Sequence, residues 1–106
     1  GGLKESAYYS DGSWYRLYSD GWCEQGGIIS VSTPQDVVVY LKKAYIDTNY
    51  QVLFSRRHDT NVVPNWAENV FDNTCFSITA NSFTVHMEVS HSKGDCVWRA
   101  SGKTII

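Results

Sequence analysis

Arginine, histidine, asparagine and tryptophan crowd one stretch of this chain. From Arg56 to Asn73 the sequence reads RRHDTNVVPNWAENVFDN, with turn-forming residues, a proline and no sustained period. Arg56 and Arg57 offer planar forks of N–H donors that match carboxylate or phosphate groups. His58 and Asn65 add hydrogen-bonding groups, and the ring of Trp66 can stack on the apolar face of a sugar. A loop of this length is uncommon in a small domain and is usually functional or disordered. Recognition residues concentrate on loops that a rigid scaffold presents. The expectation is therefore a ligand-binding loop carrying Arg56, Arg57, His58, Asn65 and Trp66. The bland alternatives are that Trp66 folds back as a core plug and that the arginines are ordinary solvated charges. The shorter polar turn His91-Ser92-Lys93-Gly94-Asp95 is a second binding candidate, through His91 and Lys93.

Other groups point less clearly to chemistry. Asp59, Glu68 and Asp72 fall in the same long stretch and Asp95 lies near the last strand, but paired carboxylates hydrolyse glycosides only at a defined separation. No nucleophile elbow or recognisable triad context surrounds the serines and histidines. The chain is read as not an enzyme. His86 and Glu88 share a strand face with His91 not far beyond, and symmetry could multiply two such ligands into a metal site. The tighter His-x-His arrangement is absent, so the reading is a polar face at a subunit contact or in solvent, with no metal and no cofactor. Cys23, Cys75 and Cys96 cannot all pair within one chain and lack zinc-site spacing. Unbridged thiols are the expectation, as suits assembly in a reducing cytoplasm, and a Cys75–Cys96 disulfide stays open. Cys23 reads as a small core residue.

What must position these groups is a set of strands organised around Trp14 to Gly27, WYRLYSDGWCEQGG. Asp-Gly between two strand-like runs signals a tight hairpin, because Asp tolerates positive φ and Gly has no Cβ to clash. Alternation puts Trp14, Arg16 and Tyr18 on one face and Tyr15 and Leu17 on the other, while Trp22 and Glu24 oppose Cys23 and Gln25. Aromatics on both faces predict cover on both, by the domain's own core and by another subunit. Trp14, Tyr15, Tyr18, Trp22 and Trp98 are the aromatics expected in core or subunit contacts.

Gly1 to Ser13 read as a linker or irregular lead-in with one short strand at most, so the domain proper is 14–106. Gly26-Gly27 suggests a bend or bulge before a short strand at Ile28 to Ser32. Asp36 to Tyr45 is a β-branched strand with Val37, Val39 and Leu41 facing one way and Val38 and Tyr40 the other. Asp47-Thr48-Asn49 marks a turn, and Tyr50 to Ser55 is expected to return as the antiparallel partner of that strand. Thr74 to Thr79 resumes strand character. Ser82 to Ser90 alternates cleanly, with Phe83, Val85, Met87 and Val89 on the apolar side. Cys96 to Ala100 is the last long strand, and Thr104-Ile105-Ile106 can add a short edge. Seven or eight short strands without a helix predict a single-domain antiparallel β-sandwich.

With 106 residues the chain can bury one core without staples. Its formal charge of −2 argues against a nucleic-acid partner. No apolar run approaches the ~20 residues of a membrane span, and the start has no signal-peptide pattern, so no membrane insertion is expected.

The hairpin motif resembles the opening of the C-terminal tip domains of tailed-phage tail fibres, the gp53-like tail-fibre family. The likeness continues through Ala44 to Val52 (AYIDTNYQV), the Ser-Phe-Thr-Val run at Ser82 to Val85, and the Trp-x-Ala-x-Gly from Trp98 to Gly102. This resemblance implies a homotrimer at the end of a fibre within a virion, joined to the rest of the fibre and adhering to a bacterial surface glycan or outer-membrane protein. The alternative within the same resemblance is a structural trimerisation or capping module with no receptor contact. A small depolymerase using Asp59, Glu68 or Asp72 is a third reading without positive support from the residues.

Overall fold

The computed structural model describes residues 2–58, 74–87 and 94–105. Among them are eight strands: β1 (Leu3–Tyr8), β2 (Trp14–Tyr18), β3 (Trp22–Val31), β4 (Gln35–Tyr40), β5 (Gln51–His58), β6 (Thr74–Phe76), β7 (Ser82–Met87) and β8 (Gly94–Lys103). They form a five-stranded sheet in the order β1-β2-β3-β8-β5 and a three-stranded sheet in the order β4-β7-β6, with every pairing antiparallel.

The Asp-Gly turn forms as its residues require. Gly21 takes φ of 91°, and Asp20 Oδ1 accepts the Trp22 backbone N–H at 3.0 Å. Register then places Leu17 opposite Cys23 and Tyr15 opposite Gln25, all four buried, while Arg16 faces Glu24 on the outer side. The turn is clamped from the far end of the chain, where the Thr104 backbone N–H and hydroxyl both donate to the Gly21 carbonyl at 2.8 Å. The expected short strand of the first thirteen residues is β1, which pairs with β2 at the sheet edge.

Between the sheets, Phe83, Val85 and Met87 of β7 are fully buried, as their alternation predicts. Phe83 meets Trp98 edge-on at 5.4 Å and Phe54 at 6.1 Å, tying the small sheet to β8 and β5. No disulfide joins Cys23, Cys75 and Cys96.

Three expectations are corrected. Gly26 and Gly27 neither bend nor bulge: β3 runs through them in unbroken register with β8, from Trp22 opposite Lys103 to Val31 opposite Gly94. The glycines are needed for space, since a Cβ on Gly27 would come 2.9 Å from Trp98 Nε1. Second, the strand expected over Asp36 to Tyr45 ends at Tyr40, and it does not pair with the strand after it. β4 pairs with β7, and β5 pairs with β8 in the other sheet. The span between them is a crossover because both its aromatic ends are drawn into the core. Tyr45 and Tyr50 stack at 4.5 Å, with the Tyr45 hydroxyl donating to the Cys23 carbonyl and the Tyr50 hydroxyl to the Thr79 carbonyl. Gln25, fully buried, fixes the same span by accepting the Lys42 and Lys43 N–H groups and donating to the Lys43 carbonyl. Third, the strand expected from Thr74 to Thr79 stops at Phe76, because Ser77 takes a positive φ of 52°.

Candidate binding surface

Arg56, Arg57 and His58 do not begin a loop. They are the last three residues of β5, paired with Cys96, Asp95 and Gly94 of β8. Among the described strands β5 lies at the edge of its sheet, and charged residues suit an edge because they discourage pairing with another chain. Asn65, Trp66, His91 and Lys93 lie outside the described residues, as do Asp59, Glu68, Asp72 and Glu88. The pairing of His58 with Gly94 nevertheless makes neighbours of the strand ends that flank both predicted binding stretches. At the same end the Ser30 hydroxyl donates to the Asp95 carboxylate across β3 and β8. His86 takes Asp36 as its partner at 2.8 Å on the outer face of the small sheet.

The expected aromatics divide between two sides. Tyr15 and Trp98 are core residues. Trp14, Tyr18 and Trp22 lie on the outer face of the five-stranded sheet with Arg16, and Trp22 is 42% exposed. On that face the register lines up Tyr8, Trp14, Gly26, Arg99 and Leu53 in one row across all five strands. Gly26 leaves a gap in the row which Trp14 and Arg99 close from either side, with the guanidinium 5.4 Å from the indole centroid. Arg16 lies over Trp14 at 5.2 Å and over Tyr8 at 5.7 Å, and its guanidinium donates to the Tyr8 hydroxyl. Arg99 also pairs with Glu24 at 3.3 Å.

These contacts make a patch of two aromatic rings interleaved with two guanidinium groups. It can stack a planar or apolar ligand face and present N–H donors beside it. Sequence reading put Trp14 and Arg16 on one face but missed Tyr8 and Arg99, because only the register brings positions 8, 14 and 99 together.

The backbone of this sandwich resembles solved tail-fibre structures. Over 94% of its length the chain matches a C-terminal fragment of the R2 pyocin fibre of P. aeruginosa, with a TM-score of 0.60 and 10% identity. It matches an N-truncated R2-type pyocin tail fibre over 97% of its length with a TM-score of 0.58 and 12% identity. A C-terminal fragment of the R1 pyocin fibre of P. aeruginosa matches over 92%, with a TM-score of 0.59 and 8% identity. The chain shares its fold with part of a pyocin tail fibre. It spans 26%, 39% and 28% of those three fibre chains, respectively. No family model matches the chain and no curated protein is detectably similar to it, so the likeness to pyocin fibres is one of fold.

Proposed function

We propose that this domain is the receptor-binding tip of the tail fibre of a phage or phage-tail-like particle. In this reading it adheres to a bacterial surface glycan or outer-membrane protein and catalyses no reaction. The observation that carries the reading is the fold match to pyocin fibre structures along nearly the whole chain. The resemblance of the Trp14 to Gly27 hairpin and the later motifs to those of tail-fibre tips adds to it.

The binding groups are assigned to one end of the sandwich, where β5 finishes with Arg56, Arg57 and His58 beside the start of β8; Asn65, Trp66, His91 and Lys93 belong to the stretches adjoining those strand ends in sequence. The partners are two further copies of the chain, the rest of the fibre and the cell surface, with the particle assembled in the bacterial cytoplasm. Three weak sites on one tip, and several fibres per particle, multiply avidity when they engage together. The test is binding of the labelled domain to a panel of bacterial strains, with its mass in solution measured on the same sample. Saturable binding by a trimer supports the reading, and absence of binding to every strain opposes it.

A second reading, a trimerisation or capping module, is favoured by one feature of the small sheet. Val38 and Phe76 flank Thr84 in a single outer row, and Tyr40 follows on the same face at 75% exposure. Apolar side chains lined up on an outer sheet face suit contact with another subunit. Val38→Lys with Tyr40→Ser would then abolish the trimer, whereas alanine at Arg56 and Arg57 would leave it intact.

A further inference from the structure

At the opposite end of β5 from Arg56 to His58, roughly 20 Å away along the strand, a cleft of about 340 Å³ opens beside Trp22. Its volume is at the low end of the roughly 300–1,000 Å³ typical of small-molecule sites. Two apolar side chains stand exposed at its walls, Trp22 at 42% and Ile46 at 55%. Polar groups converge between them: Asp47 and Asn49 from the crossover, Gln51 from β5, and Ser101 and Lys103 from β8. We propose that this cleft binds a neutral pyranose sugar.

The lining suits that ligand class in composition and in rigidity. A pyranose ring has an apolar face of C–H groups that packs on an indole, and a rim of neighbouring hydroxyls that each donate and accept. Asp47, Asn49 and Gln51 meet such hydroxyl pairs with planar groups carrying two polar atoms each, and Lys103 adds donors. The cleft's acidic and basic groups, Asp47 and Lys103, balance, which favours a neutral sugar over an acidic one. Among the described residues no internal hydrogen bond takes up the side chains of Gln51, Ser101 or Lys103. Asp47 accepts the Asn49 backbone N–H at 2.9 Å on one carboxylate oxygen and the Asn49 side-chain amide at 3.4 Å on the other, and each oxygen keeps a further lone pair for a ligand hydroxyl.

The walls do not need to move to form the site. The Ile46 N–H donates to the Lys103 carbonyl at 2.8 Å, and the stacked Tyr45 and Tyr50 support the floor from below. Gly102 completes that floor, where a Cβ would lie 2.8 Å from Tyr50 Cβ. A preformed concave site spends little of its binding energy on ordering.

The experiment is a titration of the isotopically labelled domain with methyl β-glucoside, methyl β-galactoside and N-acetylglucosamine, followed by two-dimensional NMR. The expected result is saturable shifts, with at least one sugar, of the Trp22 indole N–H and of the amides of Asp47 to Gln51 and Ser101 to Lys103. Trp22→Ala should remove the response. Asp47→Asn keeps an acceptor for the Asn49 N–H and should weaken binding about tenfold, the loss of one charge-assisted hydrogen bond, with the rest of the spectrum unchanged. No shift with any of the three sugars, shifts confined to Arg56 to His58, or full retention of binding in Trp22→Ala would each overturn the site. A domain that binds cells but shows no response at Trp22 overturns this inference alone. A response at Trp22 with no adhesion to any strain supports it and opposes only the receptor-binding reading.

Discussion

The indole nitrogen of Trp14 occupies the space in which a side chain on Gly26 would stand. A Cβ at Gly26 would come 2.8 Å from Trp14 Nε1 and 2.7 Å from the Trp98 carbonyl oxygen. Rotating the indole away would relieve the first contact but not the second, which is with backbone. Gly26→Ala is therefore expected to destabilise the domain by about 1–3 kcal/mol, the usual cost of overpacking. Urea unfolding should show a lower midpoint with an unchanged slope; an unaltered midpoint would show that β3 and β8 can separate at no cost.

Phe83 joins the two sheets. It is fully buried and meets both Trp98 and Phe54 edge-on. Phe83→Ala should cost about 3–5 kcal/mol, and Phe83→Leu clearly less, measured by the same unfolding curves. Equal losses for both would mean that the aromatic edge contacts, rather than volume, dominate at this position.

Gln25 is expected to tolerate replacement poorly although it is neither charged nor catalytic. Gln25→Leu would strand the Lys42 and Lys43 N–H groups and the Lys43 carbonyl that it now satisfies. A stranded buried group costs about 1–3 kcal/mol, less where water reaches the backbone. Hydrogen exchange should report the loss first at the Lys42 and Lys43 amides, ahead of the β3–β8 ladder.

Much of this was legible before the structure. The Asp-Gly hairpin, the buried and outer faces of β2, β3, β4 and β7, and an all-β sandwich follow from turn chemistry and period-2 alternation. What alternation does not carry is the choice of partner. It says which side of a strand is buried, but not which sheet the strand joins, so sequence adjacency pairs β4 with β5, whereas the chain crosses between sheets on the surface with only the rings of Tyr45 and Tyr50 buried as its anchors. Gly26-Gly27 looked like a break because composition does not reveal the two indoles that need the space. Arg56 to His58 looked like a loop because charged edge-strand residues lack apolar period. The patch of Tyr8, Trp14 and Arg99 could not be read at all, since it exists only through the register of four strands.

Alkaline pH should loosen the domain. Burial pushes the Cys23 thiol up to about 11 and the Tyr50 phenol up to about 12, and raises Tyr45 above its ordinary value as well. All three are raised in the folded state, so the unfolded chain loses these protons first. Their contribution is complete below the ordinary values of 9.0 for Cys and 10.0 for Tyr, and is lost as pH rises through the folded values. The melting temperature should be flat from pH 7 to about 8.5 and fall steadily beyond about 9, with Cys23 unreactive toward thiol reagents at pH 8. A melting temperature that holds or rises to pH 11 would contradict the burial of these groups.

Adhesion through the end of the sandwich marked by Arg56 and Arg57 is the central claim. Its most direct test is the binding of the labelled chain to a strain that captures it, set beside a variant with Arg56→Ala, Arg57→Ala and Trp66→Ala. The account predicts that the variant keeps the mass in solution and the unfolding midpoint of the original and loses most of its cell binding. A variant that keeps its mass and midpoint and binds that strain as tightly as the original would contradict it.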